Sequence, residues 1–146
     1  MLDKVLKFIQ KSGYKNATKI VTVSTDMKNI LINEHVGGNK IEIVHTWFDS
    51  DSLHLIDDSQ NAFVKENNID TSNLILQYAG NVGQVFGLDE FVDIVRSVRD
   101  NKKIEFHIIG SGVKIQKLKE LTNDCNIKFF EWQPQGRMSE VFSYPD

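Results

Sequence analysis

"LILQYAGNVGQVFGLDEF", residues 74–91, passes from an apolar run through three glycines into the start of an amphipathic pattern. A short apolar run closed by glycine reads as a buried strand, and Leu88, Phe91, Val92 and Val95 then share one helical face. The loop between Tyr78 and Leu88 has two readings. Bare backbone N–H groups at Gly80, Asn81 and Gly83 can approach an anion ahead of a helix. Alternatively, the glycines only permit a turn. The spacing is neither the G-x-G-x-x-G nor the Walker pattern, and Asp89 and Glu90 already complement the helix dipole.

The alternation continues on both sides. Downstream, "KKIEFHIIG" (102–110) and "NIKFFEW" (126–132) read as strands, with helices over 113–121 and 137–143. Upstream, "TKIVTVS" (18–24) reads as a buried strand and "KIEIVHTW" (40–47) as a second. Helices cover 2–11, ending before Gly13, and 26–35, capped by Ser24 or Thr25 and stopped by residues 36–39. Strands alternating with helices pair in parallel through right-handed crossovers, which predicts an α/β three-layer sandwich with a mainly parallel sheet.

Between these halves the period dissolves. Residues 48–73 carry six acids and one lysine, against a net +3 over residues 1–47 and −1 over 74–146. That stretch reads as an acidic linker or surface excursion, with a short helix near 60–67. The net charge of −3 offers no footprint for nucleic acid or an anionic membrane. The one cysteine, Cys125, excludes an internal disulfide framework and fits a reducing, cytoplasmic setting. No apolar run approaches the ~20 residues of a membrane span, and the start has no secretory h-region.

In such sheets ligands bind outside the carboxyl ends of the strands. Three loops gather there: "AGNVGQVFG", "IIGSGVK" and "EWQPQGR". In the second, Gly110-Ser111-Gly112 precedes Lys114 in the first turn of a helix, where a cation opposes the macrodipole. Either Lys114 extends into solvent, or a phosphate beside it reverses the sign of that interaction. Trp47 and Trp132 end their strands and read as closing the core, with ligand cover as the alternative. His107 reads as a packed, hydrogen-bonded histidine. The four histidines have no metal-ligand spacing.

In order, these segments resemble the retaining glycosyltransferases of family four. The stretch from "KIVTVS" to "DSDSL" is similar to the family's approach to its hinge motif, which stands here as Thr46-Trp47-Phe48-Asp49. "LQYAGNVGQVFGLDEF" onward is similar to the opening of the donor-binding domain, and "IKFFEWQPQGRMSEVFSYPD" to its next strand and helix. The likeness is greatest to enzymes of capsular and O-antigen polysaccharide assembly. It implies a GT-B fold of two Rossmann-like domains. Residues 1–49 would be the tail of the acceptor-side domain with the hinge, 50–72 the acidic linker, and 73–146 the first half of the donor domain.

By position, the resemblance places Gly80, Asn81 and Gly83 at the donor diphosphate. It places Gly110, Ser111, Gly112 and Lys114 near the phosphates or ribose, and Trp132, Gln133 and Pro134 beside the base. It implies transfer of a sugar from a nucleotide-sugar to a polysaccharide or lipid-linked acceptor, without metal or other cofactor. The full-length protein would sit in the cytoplasm, at the inner face of the cell membrane where it associates peripherally. Asn81 and Phe86 stand where many members carry Arg and Lys, so two diphosphate cations are missing. The family's paired glutamates fall beyond Asp146, so the isolated chain is expected to be inactive and to self-associate through uncovered sheet edges. A non-catalytic nucleotide-binding module, or one subunit of a split transferase, is the alternative.

Overall fold

Each segment read as helix or strand forms one, with shifted ends. The computed structural model describes residues 2–47 and 50–146, and the chain divides into two units between Phe48 and Asp49. Phe48 and Asp49 of the proposed hinge motif lie outside the described residues.

The first unit contains α1 (Leu2–Asn16), β1 (Ile20–Thr22), α2 (Thr25–Asn33) and β2 (Ile41–Ile43). The two strands pair in parallel, Ile20 opposite Ile41. Helix α1 runs through Gly13 rather than ending before it, since an exposed glycine costs only about 1 kcal/mol against alanine. Ser24 caps α2, its hydroxyl accepting from the Met27 N–H at 3.1 Å. The stop of α2 comes before the glycines. His35 adopts a left-handed φ of 66°, and the Val36 N–H returns to the Leu31 carbonyl at 3.0 Å. The expectation of a buried first strand fails, because only Thr22 of β1 is buried while Val21 and Val23 are exposed. No residue of α1 is buried, and Leu2, Val5, Leu6 and Ile9 form an exposed apolar face.

The second unit contains α3 (Ala62–Glu66), β3 (Leu74–Ala79), α4 (Leu88–Ser97), β4 (Ile104–Ile109), α5 (Ile115–Leu121), β5 (Ile127–Phe130) and α6 (Met138–Ser143). Its strands are parallel in the order β3-β4-β5. Side chains alternate across the sheet and feed two cores. On one face Val82, Val92, Ile108 and Leu118 pack with α4 and α5. On the other, Ile75 and Ile109 pack with Phe63, Val64, Ile69, Val141 and Tyr144 from around α3 and α6. Each such residue contributes about 1.5–3 kcal/mol by leaving water. This is the expected three-layer α/β arrangement.

The acidic stretch 50–72 does not run as a linker. Phe63 is only 1% exposed, and the amides of His54 and Ile56 donate to the hydroxyls of Ser139 and Ser143 on α6, at 3.1 and 3.0 Å. Asn61 caps α3 through the Val64 N–H at 3.2 Å, and its amide donates to the Glu140 carbonyl at 2.8 Å. Acidic composition hid three apolar positions, Phe63, Val64 and Ile69, whose burial overrides the charge around them.

A buried polar chain pins α6 to the sheet. Tyr144 donates to His107 Nδ1 at 3.0 Å, and the opposite ring nitrogen contacts the Glu105 carboxylate, which Lys128 also meets at 2.8 Å. This arrangement assigns His107 as the neutral Nε2–H tautomer. His107 is fully buried, as the reading of it as a packed histidine requires. No helix among the described residues is long and apolar enough to cross a membrane.

Candidate functional site

Strands β3, β4 and β5 end together, so their carboxyl-side loops must share limited space. The first two loops solve this by packing backbone on backbone. Gly80 N donates to the Ile109 carbonyl at 2.9 Å, Val82 N to the Ser111 carbonyl at 2.9 Å, and Lys114 N back to the Val82 carbonyl at 3.0 Å. Gly110 and Gly112 take φ of 138° and 154°. A Cβ at Gly110 would lie 2.1 Å from the Gly80 carbonyl oxygen, and one at Gly112 would lie 2.3 Å from that of Val82. Those two glycines are therefore demanded by the contact between loops.

Gly80 and Gly83 are not constrained in that way. A Cβ there would meet the Tyr78 hydroxyl at 3.3 Å or the side-chain amide of Asn81 at 3.0 Å, and neither residue has a positive φ. The fold by itself leaves their bareness unexplained. The N–H groups of Asn81, Gly83, Ser111 and Gly112 donate no hydrogen bond within the described residues.

Lys114 does not extend into solvent. Its ammonium crosses to the first loop and donates to the carbonyls of Gln84 and Phe86, each at 2.8 Å. Among the described residues no carboxylate lies within ion-pair distance of it. The Phe86 ring turns inward instead, edge-on to Tyr78 at 5.1 Å and tilted against Phe91 at 5.4 Å.

The third loop completes a cleft of about 150 Å³, lined by Ala79, Gly80, Ile109, Trp132, Gln133, Met138, Val141 and Phe142. Trp132 is 69% exposed and Trp47 83% exposed, so neither closes the core. Strand β5 ends at Phe130, so the indole stands past the end of the sheet. The structure thus groups the sequence-read residues in two sets. Gly80, Trp132 and Gln133 line the cleft, while Asn81, Gly83, Gly110, Ser111, Gly112 and Lys114 form the paired loops. Pro134 joins neither, standing outside the cleft at the start of the short 3₁₀ turn Gln135–Arg137. Met138, Val141 and Phe142 escaped sequence reasoning, since an apolar stripe on a short helix signals core sooner than cleft wall.

The last residue packs against the free edge of β3. Ile75 turns its N–H and C=O toward the edge of β3 away from β4. There Ile75 N donates to the Asp146 carboxylate at 3.0 Å, and Asp146 N donates to the Ile75 carbonyl at 3.1 Å. The chain leaving α6 therefore runs on the side of β3 opposite β4.

The second unit is a Rossmann-like α/β arrangement, and the fold is shared with parts of longer solved proteins. The chain is similar to Anabaena HepE (Alr3699), solved in complex with UDP and glucose, with a TM-score of 0.74 and 10% identity over 97% of this chain and 40% of that one. It is also similar to WaaG, a glycosyltransferase involved in lipopolysaccharide biosynthesis, with a TM-score of 0.62 and 16% identity over 88% of this chain and 36% of that one. In sequence it is 25% identical over 141 residues to the "Putative colanic acid biosynthesis glycosyl transferase WcaI" of Escherichia coli K12. That match covers 94% of this chain and 34% of WcaI, so the chain spans about a third of that relative's length. No family model matches. By fold and by sequence the chain is similar to a part of each of these longer proteins.

Proposed function

We propose that this chain carries the donor-diphosphate loops of a glycosyltransferase. In this reading the intact protein moves a sugar from a nucleotide-sugar to a polysaccharide or lipid-linked acceptor, with retention at the transferred carbon. Residues 1–49 belong to the acceptor-side domain and hinge, and the donor domain takes in the packed stretch 50–72 together with residues 73–146. The observation that carries the reading is the pairing of unengaged backbone N–H groups, at Asn81, Gly83, Ser111 and Gly112, with an ammonium that has no carboxylate partner. That HepE is solved with UDP and glucose supports it.

Transfer leaves a nucleoside diphosphate as the departing group, on which negative charge accumulates. Fixed N–H dipoles and a positioned cation stabilise that charge without reorganising. The exposed indole of Trp132 and the side chain of Gln133, beside Gly80 in the cleft, suit a flat base that stacks on one face and hydrogen-bonds at its rim.

Calorimetric titration of the 146-residue chain with UDP and GDP tests the reading. Binding with a Kd of about 0.1–1 mM is expected, weakened at least tenfold by Lys114→Ala, as loss of a charge-assisted contact implies. Absence of heat at millimolar nucleotide would sink it.

A further inference from the structure

The loop after β3 is held unevenly. Its first half is fastened by backbone bonds to the second loop, through Gly80, Val82 and the Lys114 amide. Tyr78 adds a bond from its hydroxyl to the Asn81 carbonyl at 3.1 Å. The second half has no such ladder. Gln84, Val85 and Gly87 are exposed, and what crosses from the rest of the unit to the carbonyls there is the Lys114 ammonium, 28 residues away from Phe86 and 30 from Gln84.

The chain turns at Gln84 and Val85, where the Phe86 N–H reaches back to the Gly83 carbonyl at 3.2 Å, and one ammonium collects the Gln84 and Phe86 carbonyls of that turn. An ammonium has three donors, and two are spent here. The third, with the full positive charge, is left for an anion. We propose that Lys114 is a latch: it holds the loop 83–87 in shape before any ligand arrives, and an anion bound there tightens the same latch. The inference extends the donor-site reading by making loop order and diphosphate binding depend on one side chain. Lys114 is on these terms a positioning residue as well as a binding one. Phe86 fits the role, because its ring is occupied in the core while its carbonyl is what the ammonium takes.

Hydrogen exchange read by mass spectrometry separates the two roles. In the ligand-free chain, Lys114→Met keeps the length of the side chain and removes its donors. Exchange at the Phe86 amide, which donates to the Gly83 carbonyl, is expected to quicken roughly tenfold or more, because the turn loses the two charge-assisted bonds that hold it. Exchange in β4 stays unchanged, as it does throughout in Lys117→Met, a control on the exposed face of α5. In the wild-type chain, millimolar pyrophosphate is expected to slow exchange over 83–87 severalfold, and to leave Lys114→Met unaffected.

Unaltered exchange in ligand-free Lys114→Met overturns the latch. Quickened exchange in the variant, with no response of the wild type to pyrophosphate, upholds the latch in the empty loop and overturns both the tightening and the donor site. If Lys114→Met loses protection in β4 it has unfolded, and Lys114→Gln is judged by the same outcomes.

Discussion

Gly110 and Gly80 are both loop glycines, yet they stand in different physical situations. Gly110 combines a positive φ with a carbonyl oxygen 2.1 Å from where its Cβ would be, so any side chain must move backbone. Gly80 faces only the tip of Tyr78. Gly110→Ala is therefore expected to cost about 2–4 kcal/mol, summing strain and overpacking, against roughly 1 kcal/mol or less for Gly80→Ala. Urea unfolding of the two variants makes the comparison, and equal losses would refute the assignment of Gly110 to loop packing. Spacing alone could not separate these residues, because a glycine serving a turn and one serving a neighbouring loop look identical in a chain. The same holds for Lys114, whose two carbonyl partners lie 28 and 30 residues upstream.

At the scale of elements, periodicity located the described helices and strands outside residues 50–72, while their ends and environments depended on neighbours. Helix α3 is the clearest case. It has five residues, too few to persist alone, and it stands in an acidic stretch that read as linker. Its cap holds it in place: Asn61 is fully buried and serves α3 and the Glu140 carbonyl at once. Asn61→Ala removes both bonds and strands a buried carbonyl, for a loss of about 2–3 kcal/mol. The test is the urea midpoint, and a change below 0.5 kcal/mol would return this stretch to linker status. Trp132 shows the opposite failure, an aromatic residue at the end of an apolar run that lands beyond the sheet and remains exposed.

At the scale of the whole molecule, acid acts through the buried polar chain. Burial presses the His107 imidazole below its usual 6.5, against the pull of Glu105. Burial would raise Glu105, but hydrogen bonds from His107 and Lys128 outweigh it and hold the carboxyl below 4.5. Tyr144 is pushed upward by burial and stays neutral. For a group whose folded pKa is depressed, the stabilisation is complete above the unfolded value and disappears as pH falls through the folded one. The unit from Asp49 to Asp146 should thus weaken first below about pH 6.5, from His107, and again below about pH 4.5, from Glu105. Urea midpoints at pH 7 and pH 5 measure the first step, which His107→Gln should flatten. A His107→Gln slope as steep as the wild type's would place the titration elsewhere.

What the amino-acid sequence determined by itself was the alternation of strands and helices and the parallel three-layer class. These follow from local period and chain connectivity, which are properties of neighbours along the chain. Only the tertiary structure decided which glycines serve the fold, that residues 61–69 belong to a core, and where the Lys114 ammonium is spent. Each of those rests on contacts between residues far apart in sequence, and their geometry exists only once the sheet has brought the loops to one edge.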